Sequence, residues 1–236
     1  MINTYNEKSL HGEIKEFLLQ PNDLLEEPYK GFIIDIKRDD LLIEIQTKSL
    51  NALRKKLTKL LDINRIRIVH PIFVNKEIIL LSSENTILQK RLSPKHGDLT
   101  DIFEELIYIQ DLFRHMNLEI QLLLVTIQEF RKDDGKGSWR RRGVSIIDSK
   151  LKEIHGNYLI KDAIQLFKFL PNELFNSKFT TRELSSAMAI SINRAQKICY
   201  CLKKLDLIKP VSKQGRLTVY QKNKELNHVY SYRKWP

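Results

Sequence analysis

Runs of alternating apolar and polar residues divide the first half of this chain into strands, and stretches with a helical period lie between them. From Gly31 to Thr47 the sequence Gly-Phe-Ile-Ile-Asp-Ile-Lys-Arg-Asp-Asp-Leu-Leu-Ile-Glu-Ile-Gln-Thr reads as a β-hairpin. Side chains alternate along a strand, so Leu42, Glu44 and Gln46 share one face while Leu41, Ile43 and Ile45 share the other. A tip of even length around Lys37–Asp40 pairs Asp35 with Leu42 and brings it to the Glu44 face. Before the hairpin, Asn6–Leu19 has a helical pattern with Leu10, Ile14, Phe17 and Leu18 as its apolar stripe. After it, Ser49 is placed to cap a helix running to about Leu61, whose other face carries Arg54, Lys55, Lys56 and Lys59. Arg65–Val74, Lys76–Ser82 and Leu118–Thr126 read as strands and Leu99–Phe113 as a helix.

Acids in a half-buried hairpin raise a chemical question. Two carboxylates forced together inside a sheet repel each other unless a cation lies between them. A Mg²⁺ (or Mn²⁺) ion held by Asp35 and Glu44 answers it, because this cation favours one or two carboxylates plus phosphate oxygens. Glu7 falls roughly 35° from the centre of the first helix's apolar stripe, so it points inward, with His11 one turn further on.

This constellation resembles the PD-(D/E)xK nuclease superfamily: a helix-borne Glu, an Asp on one strand, Glu-x-Gln on the next, then a helix. The spacing of Glu7, Asp35 and Glu44 is similar to that of Holliday-junction resolvases and related restriction-endonuclease-like proteins. Ile-Asp stands where Pro-Asp is usual, and Gln46 stands where Lys is commonest. The resemblance implies a mixed sheet flanked by helices over residues 1–130, with Asp35 and Glu44 as metal ligands and Glu7 as a direct or water-mediated third. Gln46 would orient the attacking water, and Lys48 or Lys37 would supply the missing positive charge. The strings Glu-Ile-Gln-Thr (44–47) and Gly-Ser-Trp-Arg-Arg (137–141) also resemble an uncharacterised prokaryotic family. A second Glu-Ile-Gln, at Glu119–Gln121, has no hairpin before it and reads as ordinary strand.

Charge sets the second half apart. Residues 1–126 hold 17 Lys/Arg against 19 Asp/Glu, and residues 127–236 hold 23 against 10, so the excess of +11 belongs to the latter. A basic half beside a neutral, acid-bearing one suggests that one part grips a polyanion while the other acts on it. Arg131–Gly143 concentrates three of the eight glycines and six basic residues. It reads as the start of a connecting segment over 131–159, in which Arg140, Arg141 and Arg142 either grip phosphates or line a linker with Trp139 plugged into a junction.

Further on, Thr180 and Glu183 form a capping box for a helix through Met188, and a turn at Ala189–Ser191 opens a second helix ending near Leu205. Its inward positions are Ala195, Ile198, Cys199, Leu202 and Leu205, and a hairpin follows over Leu207–Tyr220. Helix, turn, helix and basic hairpin resemble a winged helix-turn-helix domain over 160–222, followed by a basic tail at 223–236. That resemblance implies duplex or branched DNA as partner. Asn193, Arg194, Gln196, Lys197 and Lys204 would lie at the groove, and Lys213 and Arg216 on the wing.

The whole therefore reads as a metal-dependent DNA endonuclease of α/β fold, with a C-terminal winged-helix domain. Two alternatives stay open: a DNA-binding regulator with a disused nuclease fold, or a partner-dependent nuclease subunit of a mobile-element or defence system. Many nucleases of this fold act as dimers, so a homodimer is an open alternative too. The sequence shows no signal-peptide layout and no apolar run of membrane-spanning length, so a cytoplasmic protein is expected. Cys199 and Cys201, two apart on a helix, diverge and suit neither a disulfide nor a zinc pair.

Overall fold

The computed structural model describes residues 9–82 and 84–225. In chain order the elements are α1 (Ser9–Leu18), β1 (Leu24–Tyr29), β2 (Phe32–Arg38), β3 (Leu41–Ile45), α2 (Arg54–Leu60), β4 (Arg65–Leu81) and β5 (Ile87–Leu92). Then come α3 (Ile102–Leu106), β6 (Leu118–Asp133), β7 (Val144–Ile160), α4 (Asn172–Phe175), β8 (Phe179–Thr180), α5 (Thr181–Ala187), α6 (Ile192–Lys204), β9 (Ile208–Gln214) and β10 (Leu217–Lys222). The protein is mixed α/β, with a large sheet flanked by helices. Its chain forms two compact units that interleave in sequence. One draws on Met1–Lys48, Ile68–Leu99 and Gln121–Tyr158, the other on Ser49–Arg67, Thr100–Ile120 and Leu159–Pro236.

The first unit is built on a seven-stranded sheet of order β1-β2-β3-β4-β6-β7, with β5 added to β4. Leu10 and Ile14 of α1 sink into a cluster formed by Ile36, Ile43, Val69 and Val125 among others, and Ile14 is fully buried. Apolar burial of this kind contributes roughly 1.5–3 kcal/mol per large aliphatic side chain, so it is the main force seating α1. Polar bonds then fix its rotation. Ser9 Oγ donates to Asp148 at 2.5 Å, and the Leu151 N–H donates to the Glu13 carboxylate. Beyond the end of α1, Arg38 clamps the Asp23 carboxylate with two bonds of 2.7–2.8 Å and donates to Leu18 O at 2.7 Å. That fork holds the Asp23 carboxyl below its usual range.

The apolar stripe of α1 is narrower than its sequence suggests, since Phe17 is exposed. Arg65–Leu81 is one strand, without a break at Asn75. The expected connection over 131–159 is largely strand, because residues 144–160 form β7.

In the second unit, Ser49 caps a 3-10 turn (Leu50–Leu53) that leads into α2. The expected helix at Leu99–Phe113 is instead the short α3 with a 3-10 turn on either side. Thr180 and Glu183 form the full capping box of α5, and Ser191 caps α6 through the Arg194 N–H. Ala195, Ile198, Cys199, Leu202 and Leu205 are all buried, as the helical period predicts. A three-stranded sheet of order β8-β10-β9 completes the unit. Its β9–β10 hairpin turns through Gly215-Arg216, with Gly215 in the left-handed region at φ 58°. Burial pushes both thiols, Cys199 and Cys201, up to about 12, and both are free.

Candidate active site

The β2–β3 ladder pairs Arg38 with Leu41, Lys37 with Leu42 and Ile36 with Ile43. Its tip is therefore Asp39-Asp40, two residues, of even length as the sequence suggested. The register differs from the expected one: Lys37, not Asp35, lies opposite Leu42. Pairing stops at Ile36. There the Asp35 carboxylate turns in, and its Oδ2 accepts the Ile45 N–H at 2.7 Å, a bond to a side chain instead of across the ladder.

Two side chains of α1 reach this carboxylate. His11 Nε2 lies 3.2 Å from Asp35 Oδ2, and Lys15, one turn along the helix, adds its charge. Burial alone would raise the Asp35 carboxyl. The His11 bond and charge, the Ile45 N–H and Lys15 outweigh it, and the carboxyl is held below its ordinary value. Asp35 is therefore an anion at neutral pH. Lys15, itself buried, is ion-paired with Glu26 on β1.

Glu26 extends the site. In the β1–β2 ladder Leu25 pairs with Ile36 and Glu27 with Ile34, which sets Glu26 beside Asp35. Glu44 lies on the neighbouring strand between Ile43 and Ile45, which pack with Leu10 and Ile14 of α1. Asp35, Glu44 and Glu26 thus lie on three adjacent strands, with α1 supplying His11 to Asp35 and Lys15 to Glu26. Glu44 is the deepest of them, only 3 % exposed. Gln46 is pinned by its backbone. Its N–H donates to Val69 O at 2.9 Å, and His70 Nδ1 lies 2.6 Å from its carbonyl. A carbonyl only accepts, so this ring carries a proton on Nδ1.

The donors suit a hard divalent cation in kind: two carboxylates on neighbouring strands, the remaining places left to water and phosphate oxygens. Among the described residues no group of three or more His, Cys, Asp and Glu side chains is arranged to hold a metal ion. Glu7, the expected third ligand, lies outside the described residues. Of the lysines expected to supply charge, Lys48 is exposed and Lys37 lies 5.5 Å from the Tyr29 ring. Lys15 and Glu26 were not anticipated. The signal for Lys15 was present, since Glu7, His11 and Lys15 recur every four residues along one side of a helix. Nothing local marks Glu26, whose place depends on strand pairing.

The expected DNA-contacting residues divide into two groups. Asn193, Gln196 and Lys204 on α6, and Lys213 and Arg216 on the β9–β10 hairpin, are exposed. Arg194 instead donates to Thr100 Oγ1 at 2.6 Å and pairs with Asp101 at 2.8 Å, and Lys197 pairs with Glu104. These two hold α6 against α3. Arg140 and Arg142 sit in the β6–β7 connection, where Arg141 Nε donates to Val144 O at 3.1 Å. The terminal Tyr-Arg-Lys-Trp-Pro lies outside the described residues. At Glu119–Gln121 the second Glu-Ile-Gln is strand, as read, with Glu119 buried against Arg67 at 2.5 Å. No helix among the described residues is long and apolar enough to cross a membrane.

A family model described as "Domain of unknown function (DUF8091)" matches residues 8–161, and the chain belongs to that family. The match runs from α1 to the end of β7, so it spans Glu26, Asp35 and Glu44. An uncharacterized protein of Treponema pallidum (strain Nichols) is 27 % identical over 222 residues, 94 % of this chain and 87 % of that protein. No solved structure matches the chain.

Proposed function

We propose that this protein is a metal-dependent DNA endonuclease of the PD-(D/E)xK type whose C-terminal part, helix, turn, helix and basic hairpin, acts as a winged helix that docks it on DNA. The observation that carries the reading is the placement of Asp35 and Glu44 on neighbouring strands, where the ladder stops and the Asp35 side chain turns in. The element order α1-β1-β2-β3-α2-β4, with these strands adjacent in the sheet, supports it.

Asp35 and Glu44 would hold Mg²⁺ or Mn²⁺, with Glu7 as the further ligand that the sequence pattern suggests. When bound, the cation lowers the pKa of a coordinated water and neutralises charge growing on the scissile phosphate. The chain's own groups do the rest. Ile45 N–H and His11 fix the Asp35 carboxylate by one oxygen, Oδ2. Lys15 adds the positive charge that Gln46 lacks, and the anchored Gln46 backbone presents an amide able to orient water. His11, held by Asp35, would take a proton from the attacking water or give one to the leaving oxygen.

A second reading, a DNA-binding protein that cleaves only with a partner or not at all, is favoured by one observation: Asp35 Oδ2 is already committed to His11 and Ile45. Nicking of supercoiled plasmid in Mg²⁺ or Mn²⁺ against EDTA separates the two. The endonuclease reading expects nicking only with metal. Salt-sensitive DNA binding without cleavage in any metal would leave the second.

A further inference from the structure

The connection between β6 and β7 is a compact, internally bonded tip. Gly137 N–H donates to Gly143 O at 2.7 Å, and Arg141 and Arg142 donate back to Ser138 and Trp139 at 2.9 Å each. Asp134 Oδ1 accepts from the Lys136 N–H at 3.0 Å and from Ser145 Oγ at 2.8 Å. The crossing is tight enough that a Cβ at Gly137 would lie 1.9 Å from Val144 O, so only glycine fits there. Arg142, at φ 52°, closes the turn in the left-handed region.

This tip holds Trp139 out in solvent, 84 % exposed, with the Arg140 guanidinium 5.9 Å from its ring. Of the two alternatives for this segment, the indole plugged into a junction does not hold. An ordered loop that displays its largest apolar side chain among three consecutive arginines has the composition of a nucleic-acid contact: a flat π-face for a base, and guanidinium forks for the phosphates beside it. Apart from Trp139 the turn from Asp134 to Arg142 is glycine and polar or charged residues, too little apolar area to enter a lipid bilayer.

We propose that Trp139 is a base-stacking wedge that takes an unpaired nucleobase, with Arg140 and Arg142 on the flanking phosphates. Bases within an intact duplex hide their faces in the stack, so the ligand class is single-stranded or branched DNA. This deepens the nuclease reading and rests on its claim that the chain binds DNA.

The test uses the full chain carrying Trp235→Phe, which leaves Trp139 as its only indole. Emission is followed on addition of an oligothymidylate of about 12 nucleotides and, separately, of a blunt duplex with the same number of phosphates. The wedge predicts strong quenching by the single strand and much less by the duplex. It also predicts that Trp139→Ala weakens single-strand binding about 10-fold while Trp139→Phe retains most of it. Unchanged emission, with Trp139→Ala binding single strands as well as wild type, overturns the wedge and leaves the DNA-binding reading standing. Failure to bind either DNA overturns both. A blue shift with phosphatidylserine vesicles and no response to DNA makes the tip a lipid contact and overturns the wedge.

Discussion

His11 Nε2 stands 3.2 Å from Asp35 Oδ2, joining the first helix to the strand that carries the central acid of the site. The same oxygen takes the Ile45 N–H, so one carboxylate ties α1, β2 and β3 together. Because the folded Asp35 carboxyl lies below its unfolded value of about 4, its contribution to stability is present above that pH and is lost as pH falls through the folded value. Glu129 behaves likewise: burial would raise it, but Lys76 at 2.7 Å and Arg131 at 2.6 Å outweigh that and lower it. Urea unfolding followed from pH 6 downward should show stability falling below about pH 4, with a shallower fall in Asp35→Asn. An identical acid limb in wild type and variant would remove the His11–Asp35 pair from the account.

Ile14 is the apolar anchor of α1, and its burial places His11 and Lys15. Ile14→Ala should cost about 3 kcal/mol in chemical unfolding, from lost transfer energy and the cavity left behind. A loss under about 1 kcal/mol would mean that the helix is held chiefly by its polar bonds.

The capping box of α5 gives a smaller, local test. Thr180 is 2 % exposed and exchanges bonds with Glu183 through both side chains. Thr180→Ala should lower stability by about 1 kcal/mol, and Thr180→Ser should recover most of it.

Basic residues of the second unit should separate by partner. Arg194 and Lys197 are bonded to Asp101 and Glu104, whereas Lys213 and Arg216 are exposed on the β9–β10 hairpin. Lys213→Ala and Arg216→Ala should each weaken DNA binding across sequences and reduce the salt slope by about 1. Arg194→Ala should lower the thermal midpoint and leave the salt slope unchanged. The opposite assignment would place the DNA on the α3 side of α6.

What was legible in the sequence depended on how far each signal reaches. The capping box at Thr180, the Ser191 cap and the buried stripe of α6 are local, and all stand in the structure as read. The hairpin itself was legible from strand alternation, but its register was not: Leu42 lies opposite Lys37, where the pattern suggested Asp35. Residues 144–160 escaped notice because most positions of β7 are partly or fully exposed, leaving no clean apolar alternation to read. Polar Asn75 interrupts the apolar pattern, yet β4 continues through it and pairs with β5 beyond. Lys15 and Glu26 meet through the docking of a helix on a strand, which no period within either segment encodes. Trp139 is exposed because glycine packing folds the tip back on itself, and that shape is invisible in composition.

The central claim is most directly tested by cleavage of supercoiled plasmid and branched DNA by wild type beside Asp35→Ala and Glu44→Gln, in Mg²⁺ or Mn²⁺ against EDTA. DNA binding by each protein is measured in parallel. The account predicts metal-dependent nicking by wild type, abolished in both variants while their DNA affinity stays within about threefold of wild type. Cleavage that persists in both variants, or that proceeds equally in EDTA, would contradict it.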